Sequence, residues 1–158
     1  MKIRNEEILK GLINVFKINE YRIEVYRKLM SMIHNPELQP YFKAQVDESV
    51  TIIKELNPLI DSVENAESPL HFEDAKMNQS QFYFGMARAS QNPRTVMVSC
   101  QFGDEYLMKT YKKMLGLLEI KTLPYLRDIL MRHLTNLQIA FTNIENTLLE
   151  NIPVLLRK

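Results

Sequence analysis

"ENAESPLHFEDAKMNQSQFYFGMARASQNP", residues 64–93, is the one long stretch of this chain in which helical periodicity lapses, and its length decides how the rest is connected. Within it, "QSQFYFGMARAS" still suits a short helix, expected over about 79–91. Upstream, over about 5–33, the positions Ile8, Leu12, Val15 with Phe16, Asn19, Ile23, Tyr26, Met30 and Ile33 recur at steps of three and four, which is one face of a helix. "HNPEL" stops that helix and starts another. Asn35 can cap free amides, Pro36 suits a first turn, and the residue before a proline avoids helical angles. So short a link forces an antiparallel hairpin. The second stripe, over about 37–62, is Leu38, Phe42, Val46, Ser49, Ile53, Leu56 and Ile60, with a kink expected at Pro58.

Downstream the same logic repeats. Asn92 and Pro93 open a third long helix, expected over 93–120, on Val96, Cys100, Gly103, Leu107, Tyr111, Met114 and Leu118. After "KTLP" a fourth, over 124–151, follows Leu126, Leu130, His133, Leu137, Phe141, Ile144 and Leu148, with Pro153 closing it. Two tight hairpins joined by a crossover of roughly thirty residues is the connectivity of a ferritin-like four-helix bundle, as opposed to a simple up-down bundle. The expected fold class is all-α, with residues 1–158 forming a single domain. A faint internal echo, "QPYFK" against "LPYLR", marks the starts of helices two and four.

Composition narrows the function classes. With 20 basic and 19 acidic residues and a net charge of +1, the chain lacks the excess that would track phosphates or an anionic membrane, so nucleic acid is not an expected partner. Cys100 is the only cysteine, which rules out an intrachain disulfide and a cysteine-based zinc site and fits a reducing compartment. "MKIRNEEILKG" is charged where a signal peptide would be apolar, and no apolar run reaches a membrane span of about 18 residues. The expected location is the cytoplasm. No phosphate-binding glycine loop or nucleophile elbow is present, so nucleotide-dependent and hydrolytic readings have no motif behind them.

Two segments carry a family likeness. "IEVYRKLMSMIHNPELQPYF" followed by "CQFGDEYLMKTYKKML" resembles a small bacterial ferritin-like family of unknown function, within the wider rubrerythrin and ferritin-like superfamily. The resemblance covers most of the chain and is carried by Glu24, Tyr26 and Arg27, the turn Asn35 to Leu38, Phe42, and then Cys100, Gly103, Asp104, Glu105, Lys109 and Tyr111. It implies the four-helix bundle and an ancestral carboxylate di-metal site. Where such relatives often have A-H-D near the end of helix four, this chain has Ala140, Phe141 and Thr142.

The residues themselves leave two functional readings. A di-iron site in such a bundle needs a Glu from each of two helices and a Glu-x-x-His pair from each of the others. None of the three histidines has that partner: Ser31, Ser68 and Leu130 stand three residues before His34, His71 and His133. An irregular iron or manganese site would draw on Glu24, Asp47, Glu48, Asp104, Glu105 and His133. Against it, Glu24 can pair with Lys28 and Glu105 with Lys109 on solvated faces. Asp104 adjoins the core stripe and could tilt inward, but the expectation for the adjacent acids is a solvated edge. Gly103 is read as a packing residue that lets a helix or bulky aromatic approach. His133 and Asn19 could share a buried polar layer with Ser49, and Cys100 reads as an inert core thiol.

The favoured reading is a non-enzymatic bundle that self-associates, as a homodimer, or binds a partner protein, and takes no cofactor. The alternative is a metal-binding oxidoreductase or iron-handling stress protein. The methionines and the cluster Phe82, Tyr83 and Phe84 are expected to fill the bundle and cover its crossover side, leaving apolar surface for a partner.

Overall fold

A computed structural model describes residues 2–66 and 79–155, which form five α-helices and one 3-10 turn, with no strand among the described residues. In chain order these are α1 (Lys2–Met32), α2 (Gln39–Ala66), α3 (Gln79–Ala89), α4 (Pro93–Leu115), the 3-10 turn Leu118–Thr122, and α5 (Pro124–Leu155). The expected crossover over 64–93 falls partly on residues 67–78, outside the described residues. Its short helix is present and ends at Ala89, before the expected 91.

Both asparagine breaks work as the sequence indicates. Asn35 Oδ1 accepts from the backbone amides of Glu37 at 2.8 Å and Leu38 at 3.3 Å. Asn92 Oδ1 accepts from Thr95 N at 3.1 Å, with Pro93 opening α4. Several expected ends need correction. The third long helix stops at Leu115, not 120, because Gly116 closes its last turn, donating to the carbonyls of Lys112 and Lys113, and Leu117 is extended before the 3-10 turn. Pro153 does not end the fourth helix, which runs on to Leu155. Helix α2 begins at Gln39, not 37, and with Pro58 inside it runs to Ala66, past the expected 62. A proline near a helix end removes one backbone donor while neighbouring turns hold the helix.

Helix α1 is the hub. It packs along α2 and also against α4 and α3, while α5 lies on α4 and meets α2 only lightly. Neighbours on several sides explain why α1 buries Leu9, Ile13, Ile18, Val25 and Leu29 beside Ile8, Leu12, Val15 and Tyr26 of its expected stripe, while Phe16, Ile23 and Met30 of that stripe are only half-buried. On α4, Val96, Cys100, Gly103, Leu107, Tyr111 and Met114 are all buried, as their spacing requires. Gly103 serves packing: a Cβ there would meet the Phe84 ring of α3 at 2.7 Å, and Ser80 Oγ donates to the Gly103 carbonyl at 2.7 Å. No helix among the described residues is long and apolar enough to cross a membrane.

Candidate functional site

The polar centre of the molecule is built around a residue that lies on the core face of α1. Arg22, 1% exposed, sits three residues after Asn19 and four before Tyr26, so helical geometry turns its guanidinium into the seam between α1, α2 and α4. Its Nε donates to Asp104 Oδ1 at 2.7 Å. One terminal nitrogen donates to the Gln45 carbonyl at 3.1 Å and Ser49 Oγ at 2.9 Å, and the other to the Gln45 side-chain oxygen. Tyr26 Oη donates to Asp104 Oδ2 at 2.5 Å. Ser49 in turn donates to Asn19 Oδ1 at 2.8 Å, and Asn19 Nδ2 to the Val15 carbonyl at 2.7 Å. The result is a chain of satisfied donors and acceptors through a buried seam.

The electrostatics follow from that depth. Burial disfavours the Arg22 cation, but Asp104, Tyr26 and Glu48 together outweigh it and raise its pKa above the ordinary arginine value. Burial first, then the Asp104 charge, lifts the Tyr26 hydroxyl well above its usual range, so it stays a donor. Burial also raises the Cys100 thiol, with Asp104 adding to the effect, which suppresses thiolate chemistry there. Glu48 lies at the edge of this centre, 3.9 Å from the guanidinium; burial raises its carboxyl pKa while Arg22 works against the rise.

A second polar constellation lies where α5 faces α2. Tyr111 Oη and His133 Nδ1 are 2.9 Å apart, and His133 Nε2 is 3.0 Å from Glu55 Oε1. Because the Glu55 carboxylate accepts only, the hydrogen-bond pattern assigns the ring proton to Nε2 and makes Nδ1 the acceptor for the tyrosine. Arg132 grips the same carboxylate with both terminal nitrogens, at 3.3 and 2.5 Å. Burial lowers the His133 pKa, partly offset by Glu55, while the Arg132 hydrogen bond leads in lowering that of Glu55. Beside this group an open cleft runs between α2 and α5. Its two hollows, about 400 and 290 Å³, share Ala44, Glu48 and Asn136.

The six candidate residues therefore part company. Asp104 is buried, which corrects the solvated edge expected for it; its counter-charge comes from α1, 82 residues away. Glu105 does stay at the surface, 3.7 Å from Lys109. Glu24 is exposed but pairs with Arg88 of α3 at 3.0 Å instead of Lys28. Lys28 is drawn off by the end of α3, where it donates to the carbonyls of Ala87, Arg88 and Ser90. Asp47 pairs with Lys43 at 2.8 Å in solvent. His133 is buried but belongs with Tyr111 and Glu55, so the expected layer of Asn19, Ser49 and His133 is split: the first two join Arg22 and the third does not.

These residues do not fit an iron or manganese centre. Among the described residues no three His, Cys, Asp or Glu side chains are grouped to hold a metal ion. Of the candidates only Asp104 and Glu48 approach the interior seam, and the Arg22 guanidinium lies between them as their cation. Reading the sequence missed Arg22, Gln45 and Glu55. The signal for Arg22 was present: a step of three from Asn19 lands on it, a step of four on Ile23, and the apolar choice hid the charged one.

Comparison of the chain with protein-family models, with characterised proteins and with solved structures gives no match in any of the three.

Proposed function

We propose that this chain is a ferritin-like four-helix bundle whose interior is neutralised by its own arginine, and that it works as a non-enzymatic, self-associating protein and not as an iron- or manganese-dependent oxidoreductase. The observation that carries this reading is the position of Arg22: its guanidinium saturates Asp104 and approaches Glu48, so the acids at the centre already have a cation. The packing of α1 on α2 and α4, and of α5 on α4 and lightly on α2, is what a bundle with one long crossover requires. The ferritin-like assignment itself rests on the motifs within residues 23–42 and 100–115. With the polar centre closed, what is left to act is the open α2–α5 cleft and the outer helix faces.

Elemental analysis of full-length protein purified without chelator or affinity tag tests the metal half of this reading, and sedimentation velocity at tens of micromolar tests the association half. The expected results are no stoichiometric iron or manganese and a species heavier than one chain. Stoichiometric metal that is lost in Glu48→Gln would overturn the first; a monomer would overturn the second.

A further inference from the structure

Among the described residues, seven large hydrophobic side chains are exposed, and four of them, Phe82, Met86, Val98 and Phe102, belong to the α3–α4 hairpin. The ring contacts place these on one outer face: Tyr83 lies 5.4 Å from Phe82, 5.0 Å from Phe102 and 5.5 Å from Tyr106 between ring centroids, the last two stacked. Met86 stands one turn from Phe82 on α3, and Val98 one turn from Phe102 on α4. Aromatic rings gathered on an exposed face, with charges confined to the margin, are the composition of a protein contact surface.

We infer that this face docks a second copy of the chain across a two-fold axis, with α4 running antiparallel to the α4 of the partner and the axis passing near residue 100. The inference rests on the self-association proposed above and names its surface. Charge order along α4 selects the occupant. The outer stripe reads Arg94, Val98, Phe102, Glu105, all within one side of the helix. Turned end for end, it sets Arg94 against Glu105 of the partner subunit and Val98 against Phe102 of the partner subunit, twice over, as an isologous contact demands. Arg94 has no carboxylate partner among the described residues. Glu105 has only Lys109, at 3.7 Å and in solvent. A strongly acidic or basic partner would find one charge matched and the other opposed, whereas a second copy satisfies both.

Sedimentation velocity of the full-length chain separates the outcomes. Wild type is expected to dimerise at tens of micromolar. Phe102→Glu is expected to weaken association roughly tenfold or more, as burying a charge in an apolar contact does, with an unchanged far-ultraviolet dichroism spectrum. Arg94→Glu and Glu105→Arg each set like charges opposite one another and weaken the dimer. Combined, the two swaps restore it. A monomeric wild type would overturn both this face and the self-association reading. A dimer indifferent to Phe102→Glu and to both charge swaps would overturn this face alone and send the search to other surfaces.

Discussion

Arg22 with Asp104 and Arg132 with Glu55 are the same pair of chemical groups held at two depths. Nitrogen and oxygen are 2.7 Å apart in the first and 2.5 Å in the second. The side chains of the first pair are 1% and 5% exposed, those of the second 52% and 27%. Geometry does not distinguish them; solvent does. An exposed pair is screened and each partner can return to water, so its net contribution is about 0.2–1 kcal/mol. At depth neither partner has water to return to, and the loss of one strands the other.

The comparison breaks first, if it is wrong, at Asp104. Asp104→Asn keeps the shape beside Gly103 but removes the carboxylate hydrogen-bonded to Arg22, leaving only Glu48 at 3.9 Å, and chemical denaturation should show a loss of about 3–5 kcal/mol. Arg22→Met combined with Asp104→Leu removes both charges and should recover part of that loss; simple addition of the single effects would contradict the coupling. A smaller effect is expected next door. In Gly103→Ala the new methyl runs into the Phe84 ring, for a cost of about 1–3 kcal/mol against the roughly 1 kcal/mol that alanine returns in helix propensity. Thermal melting that rises in this variant would mean that Phe84 yields freely.

Acidity sharpens the contrast at the outer site. Burial holds the His133 pKa below its ordinary 6.5, so on acidification the unfolded chain takes up the proton first. The stability carried by the neutral ring is complete above 6.5 and is lost as pH falls through the lowered folded value. Glu55, lowered from 4.5, adds a loss of the same sign at lower pH. Glu48, raised from 4.5, acts in the opposite sense, favouring the fold when protonated. The melting temperature of wild type should therefore fall between about pH 7 and 5, and His133→Gln should flatten that limb. Parallel curves would remove His133 from the account. The smallest expected change is Arg132→Ala, about 1 kcal/mol or less and shrinking with added salt.

The helices could be read from the sequence because their signals are local. Stripes at three and four residues, and Asn35 and Asn92 as caps, all lie within one turn of the features that explain them. A surface pair was legible where no other helix intervenes, as at Glu105 with Lys109. The same local rule failed for Glu24, because α3 packs on α1 and offers Arg88 to the acid while claiming Lys28 for its own carbonyls. Arg22 and Asp104 were hidden for a stronger reason. A helix advances about 100° per residue, so the edge of a stripe is uncertain by one position, and only tertiary packing decides whether Arg22 or Ile23 points inward.

The assignment of one cation's partners to three helices also bears on how the chain folds. Helix α1 brings the guanidinium, α2 brings the Gln45 and Ser49 oxygens, and α4 brings the carboxylate. A hairpin of α1 and α2 by itself would leave that buried cation with only Glu48, at 3.9 Å, as counter-charge, and the close Asp104 carboxylate is missing until α4 arrives. The first half of the chain is thereby tied to the second as a single cooperative unit, and amide exchange in α1, α2 and α4 should report one shared opening instead of a hairpin that frays alone.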